Sequence, residues 1–555
     1  MKYDFTTVLN RKNTGSGKWN GMYQKKPDVA EDVVPLSTAD MEFANAPEIR
    51  RGLQEYAGKM ILGYTDATDA YYDAVIGWMK KRHEYDVKKE WIETSPGVVP
   101  ALATLVKACS EPGDKVLIMP PVYFPFKMSI AFTKRKVVEN PLILTDQGYE
   151  IDYEDLEKKA SDPDTKLMIF CNPHNPVGRV WTEEELRKVM EICIKNNVFI
   201  IDDEIHNDLI MPGYKHTVMG KLSEEAGLNC AVCTAPSKSF NLAGMQTSNI
   251  IIADPVKRAQ YQAEKMENFA FSLNAMGYEA CRLAYTEGEG WLEECLSVIH
   301  ENAKYVETFM AANLPEVRVF PLQGTYLQWA DFNALGMTYE ELEDLMVNDA
   351  EIFMDEGYMF GKEGRGFERF NLACPKIVIE AAMNRLLVAV NKKKEVWAKE
   401  GKPEHYTLTA HMKMPDFIYN TPYESQKSFQ AEVTKKKTIL IFSRYYTCSL
   451  CQSVISSIAD GYDRIDAKGA QVKIVMQSTP ESVRIALGDH NPYPFELICD
   501  PEYKLYKKYN VFPADSISFM MSDNPKETMA MMATVPKTKP EGILTQLPAT
   551  VVIQK

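Results

Sequence analysis

Lys238 lies between two serines in the stretch Thr234-Ala235-Pro236-Ser237-Lys238-Ser239-Phe240-Asn241-Leu242-Ala243-Gly244. A lysine framed this way and followed by a small-residue turn suggests an amine held for an aldehyde; once freed, it can act as a base. Three other stretches carry chemistry that fits it. Asn172-Pro173-His174-Asn175-Pro176-Val177-Gly178-Arg179 places polar groups on a loop stiffened by prolines. Ile200-Ile201-Asp202-Asp203-Glu204-Ile205-His206 ends an apolar run on carboxylates. Arg369-Phe370-Asn371-Leu372-Ala373-Cys374-Pro375 offers a guanidinium, which can grip a carboxylate with two parallel bonds. Any one of these is a weak signal; four in this order are a strong one.

In that order the stretches resemble the fold-type-I enzymes that use pyridoxal 5'-phosphate (PLP). The resemblance implies four provisions: an amine, an anion at the pyridine nitrogen, a polar partner for the ring hydroxyl, and a phosphate cradle. Lys238 would supply the amine and the base at Cα. Asp203 would face the pyridine nitrogen, with Asp202 as its competitor; the match of Asp203-Glu204-Ile205-His206 to the family pattern favours the second aspartate. His206 falls where relatives place a histidine or tyrosine near the cofactor. Asn175 would donate to the ring hydroxyl, and Asn172 reads as a turn former. The phosphate cradle is expected at Ser95-Pro96-Gly97-Val98-Val99-Pro100, a turn leading into a helix. Val98 and Val99 would contribute backbone groups, and Ser237 its hydroxyl. Many relatives have an arginine eight positions after the lysine; this chain has Gln246. Tyr123 would stack on the ring. Tyr64 resembles the tyrosine that reaches across a dimer to the neighbour's phosphate, which implies a homodimer with shared sites. Arg369 would clamp the substrate α-carboxylate, with Arg365 expected to face solvent.

The N-terminal text narrows the reaction. Met1-Lys2-Tyr3-Asp4-Phe5, Asn10-Arg11-Lys12-Asn13-Thr14, Lys18-Trp19 and Ala39-Asp40-Met41-Glu42-Phe43 resemble cystathionine β-lyases of the MalY/PatB group, over roughly residues 1–395. Ser37-Thr38 departs from the bulkier Trp-Val common there. The implied reaction is α,β-elimination of L-cystathionine or another cysteine S-conjugate to thiol, pyruvate and ammonia. Lys238, or Tyr123 with Tyr64, would protonate the leaving sulfur. The alternatives are an aminotransferase, which needs the same pocket, and a regulatory protein built on the PLP fold.

The elements expected to position these groups form an α/β fold with a mostly parallel sheet. Lys115–Met119, Lys166–Phe170 and Asn197–Ile201 are short apolar runs separated by helical stretches, as buried parallel strands are. Asn175 and Asp203 lie just past the ends of two of them, where such sheets bind ligands. Ala382–Lys399 reads as a closing helix. At 555 residues the chain is too long for one core. The first domain is placed at residues 1–398. Its large cofactor part spans about 50–285; its small part takes the N-terminal segment and about 286–398. A linker follows at 399–411, and a second domain at 412–555.

That second domain opens with the strand Lys437–Phe442 and then Cys448-Ser449-Leu450-Cys451 leading into a helix. A helix start lowers a thiol pKa, so Cys448 would be reactive and Cys451 its resolving partner. With Pro548 before a strand, the region resembles a thioredoxin-fold, peroxiredoxin-like domain. The pattern Pro-x-x-x-Thr-x-x-Cys is absent, and a partial fold is expected. Cys230 and Cys233 share the spacing but sit in an apolar strand, where positions three apart face opposite sides. They read as core. Met529, Met531 and Met532 read as packing, and no metal site is expected.

The formal net charge is −14 and the pI about 5.3, an unfavourable balance for binding nucleic acid. The start of the chain lacks an apolar signal core, and no apolar run reaches membrane-spanning length. Eleven scattered cysteines suggest a reducing cytoplasm.

Overall fold

The computed structural model describes residues 1–268, 272–402, 416–433, 436–447, 449–509, 511 and 549–553. The chain divides into two compact units, Met1–Lys399 and Glu400–Lys555.

The first unit is built on a seven-stranded sheet. Its order is Ile92–Ser95, Ser248–Ile252, Cys230–Thr234, Phe199–Asp203, Thr165–Cys171, Lys115–Ile118, Lys136–Glu139. Ser248–Ile252 runs antiparallel to both its neighbours, and the remaining pairings are parallel. Both faces are covered, which is why these strands read as continuous apolar runs. Alternate residues divide between two cores. Met168, Phe170, Ile200, Cys230 and Val232 belong to one; Ile169, Cys171, Ile201, Ala231 and Cys233 belong to the other. Cys230 and Cys233 therefore face opposite sides of the sheet. The helix Val98–Cys109 fills the second core with Ala101, Leu102, Leu105 and Val106. Each of the buried leucine and valine side chains there contributes roughly 1.5–3 kcal/mol of transfer energy.

A four-stranded antiparallel sheet follows, in the order Arg318–Val319, Leu327–Asp331, Phe367–Asn371, Asp355–Glu356. The helix Lys376–Glu400 closes the unit, starting directly after Pro375 and earlier than the sequence suggests. Asn172 lies at the bend that follows the strand Thr165–Cys171, fully buried, and its amide donates to the Thr217 carbonyl at 3.2 Å. One expectation is corrected. Arg365 is half-buried with its guanidinium over the Tyr339 ring, 5.7 Å from its centre.

In the second unit Glu496–Cys499, Ala470–Met476 and Lys437–Phe442 are parallel, and Ala549–Ile553 pairs antiparallel at the edge. This is the thioredoxin-like arrangement. Cys451 is buried on the helix Ser449–Asp460. Cys448, Pro548, Met529, Met531, Met532 and most of the 399–411 linker lie outside the described residues. Among the described residues no helix is long and apolar enough to cross a membrane.

Candidate active site

Pleat parity decides which aspartate meets the cavity. On the strand Phe199–Asp203, Asp203 shares a face with Phe199 and Ile201, the face that carries the Val98–Cys109 helix. Asp202 points the other way and lies with Glu204, which accepts from Met219 N–H at 3.1 Å and meets His216 Nε2 at 2.9 Å. The neighbouring strand ends at Cys171, directly across from Asp203. The loop after it brings Asn175 to the same end of the sheet. The Asn175 N–H donates to Cys171 Sγ at 3.4 Å, and its carbonyl accepts from Tyr123 N–H at 3.2 Å.

These ends open on a cavity of about 180 Å³ lined by Val98, Val99, Tyr123, Asn175, Asp203, His206, Ser237 and Lys238, with Ala39, Cys171 and Gln246. Of the residues expected at a cofactor site, Tyr64 alone is not brought there; it is fully exposed. Arg369 reaches the site from the second sheet of the unit. Its Nη1 donates to Asn175 Oδ1 at 2.7 Å, and its guanidinium lies over Phe360. Cys448 lies outside the described residues, so the Cys448–Cys451 pair has no geometry here.

Burial governs the ionisation of these groups. It pushes Lys238 down to about 8, against the pull of Asp40 and Asp203. It pushes Asp203 up to about 7, while Lys238 opposes the rise. It holds His206 far below the usual imidazole range, with Lys238 and Arg369 acting in the same direction. Lys238 Nζ donates to the Ala39 carbonyl at 2.7 Å, and Asp203 Oδ1 accepts from Ile205 N–H at 3.1 Å.

The donor set fits PLP. Gly97, at φ +138°, turns the chain into the Val98–Cys109 helix, whose first N–H groups have no intrahelical acceptor. Pro100 has no N–H to offer, so Val98 and Val99 present the free donors of an anion cradle. His206 Nδ1 and Arg369 Nε are buried without a partner. Asn175 spends its oxygen on Arg369, which leaves Nδ2 for a ring oxygen. Sequence reasoning missed three participants: the Ala39 carbonyl, Tyr326 packed edge-on to His206, and Asp355 paired to Arg369. Only Ala39 had a signal, in the Ala39-Asp40-Met41 text.

Comparison with known proteins agrees with this geometry. The model of the family described as aminotransferase class I and II matches residues 31–386, and that of the AhpC/TSA family matches residues 411–555. Cystathionine beta-lyase PatB of Bacillus subtilis is 41% identical over 360 residues, 65% of this chain and 93% of that protein. Cystalysin from Treponema denticola, whose structure contains pyridoxal 5'-phosphate, is 46% identical with a TM-score of 0.70, covering 71% of this chain and all of cystalysin. The PLP-bound C-S lyase from Staphylococcus hominis is 30% identical with a TM-score of 0.64, over 70% of this chain and 98% of that one.

Proposed function

Because the chain belongs to the aminotransferase class I and II family, we propose that its first unit is a PLP-dependent carbon–sulfur β-lyase acting on L-cystathionine or a related cysteine S-conjugate. The observation that carries this reading is the convergence of Lys238, Asp203 and the Val98 helix start on one cavity, with Arg369 at its edge.

PLP, when bound, supplies an aldehyde for amines and a ring that draws electrons away from Cα. Lys238 is the amine for that aldehyde. Burial lowers its hold on a proton, and once freed from that aldehyde it takes the proton from substrate Cα. Asp203 would hold the proton on the pyridine nitrogen. Asn175 Nδ2 would donate to the ring oxygen, and Tyr123 would lie against the ring. Val98, Val99 and Ser237 would hold the phosphate, with His206 lining the same pocket. Arg369 takes the α-carboxylate and so aligns the Cα–H bond with Lys238. The Cβ–S bond breaks, and sulfur leaves with the bonding pair and takes a proton. Burial holds the Tyr123 proton tightly, which favours Lys238 over Tyr123 as the donor to sulfur. The remaining three-carbon fragment hydrolyses to pyruvate and ammonia.

The reading includes a homodimer. Tyr64 and the preceding Met60, Ile61 and Leu62 are exposed on this subunit, an apolar run that a second copy would cover. It also includes the cytoplasm, which the free thiols of the described cysteines support. For the second unit it includes thiol–disulfide chemistry at Cys448 and Cys451; unchanged thiol handling in a Cys448→Ser, Cys451→Ser variant would count against that.

The test is pyruvate formation from L-cystathionine with no keto acid added. Wild type is expected to form pyruvate and Lys238→Ala to form none. Amino-group transfer without pyruvate would replace the lyase by an aminotransferase.

A further inference from the structure

Asp355 and Arg369 sit directly opposite each other on the antiparallel strands Asp355–Glu356 and Phe367–Asn371. Side chains of such a pair share one face at close range. Arg369 Nη2 donates to Asp355 Oδ2, and both side chains are largely buried. The same oxygen accepts the backbone N–H of Thr38 at 2.7 Å. Thr38 is β-branched yet held at φ +54°, a conformation that persists only where the surroundings impose it. Its carbonyl accepts from Asn371 Nδ2 at 2.6 Å, and the next carbonyl, of Ala39, accepts from Lys238 Nζ.

One carboxylate oxygen thus takes a guanidinium N–H and a backbone N–H at the edge of the site. That is a donor set suited to a substrate carboxylate. We propose that Asp355 is a positioning residue that imitates the substrate carboxylate: it holds Arg369 and the Thr38–Ala39 strap in place and sets how weakly a free carboxylate binds. This rests on the reading of Arg369 as the carboxylate clamp. The strand register keeps Asp355 beside Arg369, so its charge stays near any incoming carboxylate. Part of the guanidinium's attraction is already committed, and the buried Nε–H is a donor left open. Through Thr38 and Ala39 the same carboxylate also steadies Lys238.

Two substitutions separate charge from anchoring. Asp355→Asn keeps an acceptor for Thr38 and loses the charge; Asp355→Ala loses both. The readouts are calorimetric binding of 3-(methylthio)propanoate, an amine-free carboxylate, to the PLP-loaded protein, and kcat and KM for pyruvate from L-cystathionine. Asp355→Asn is expected to bind the propanoate about fivefold tighter or more, with KM falling in parallel. Asp355→Asn is expected to keep kcat within about twofold, while Asp355→Ala loses about tenfold. Unchanged or weaker propanoate binding in Asp355→Asn would overturn the role of Asp355, provided Arg369→Lys weakens it. Undiminished binding in Arg369→Lys would instead overturn the clamp reading, and the proposal with it.

Discussion

Asp203 shows how one residue trades stability for function. Burial raises its folded-state pKa to about 7, well above the ordinary aspartate value of about 4. Between those values the folded protein keeps a proton that the unfolded chain has lost. Stability from this group is therefore present at low pH and lost as pH rises from about 4 through about 7. In the cofactor-free protein Asp203→Asn removes that loss. We expect its thermal unfolding at pH 8 to show a gain of roughly 4 kcal/mol over wild type, shrinking towards pH 5. The same variant is expected to lose pyruvate formation by about a hundredfold or more, since an amide cannot hold the pyridine proton. An Asp203→Asn protein with neither change would remove the residue from the assigned role. His206 and Tyr123 were expected beside the cofactor, and both line the cavity. Asp355 was not legible, because its strand is two residues long and carries no pattern.

At the scale of elements, the site depends on where strands end and one helix begins. Alternation along Phe199–Asp203 sends Asp203 to the cavity and Asp202 to the opposite core. The sequence left these two aspartates as competitors until the family pattern was considered, since the direction of the pleat is set by the sheet's neighbours. The helix start is a separate requirement. A Cβ on Gly97 would lie 3.5 Å from Pro100 Cδ, an ordinary contact, so any cost comes from the backbone at φ +138°. Gly97→Ala is expected to cost about 1–3 kcal/mol of stability. It should also weaken PLP binding by about tenfold or more by displacing the Val98 and Val99 N–H groups. Titrating the cofactor-free variant with PLP and following absorbance checks this; wild-type affinity would move the phosphate elsewhere.

At the scale of the whole molecule, the exposed Tyr64 is the residue that tests the proposed homodimer. If Tyr64 serves the partner's site, a Tyr64→Ala and a Lys238→Ala subunit complement each other. Each homodimer is expected to be impaired. Mixing and reassociating equal amounts should restore about a quarter of wild-type pyruvate formation, because half the dimers are hybrids and each holds one intact site. No recovery, with hybrid dimers present, would confine each site to one subunit. The match to the AhpC/TSA family places a unit of that family on the same chain as the proposed thiol-releasing site. The two-unit organisation was visible in the sequence as a break in periodicity after the long closing helix.

The residue types, their order and the strand–turn–helix frame around them were set by the sequence alone, because the amine, carboxylate, amide and guanidinium that the chemistry needs cannot be exchanged for other groups. Which of these side chains share one cavity was decided only by the tertiary structure. Pleat direction and strand register follow from the packing of segments far apart in the chain, and these place Asp203 at Lys238 and Asp355 against Arg369.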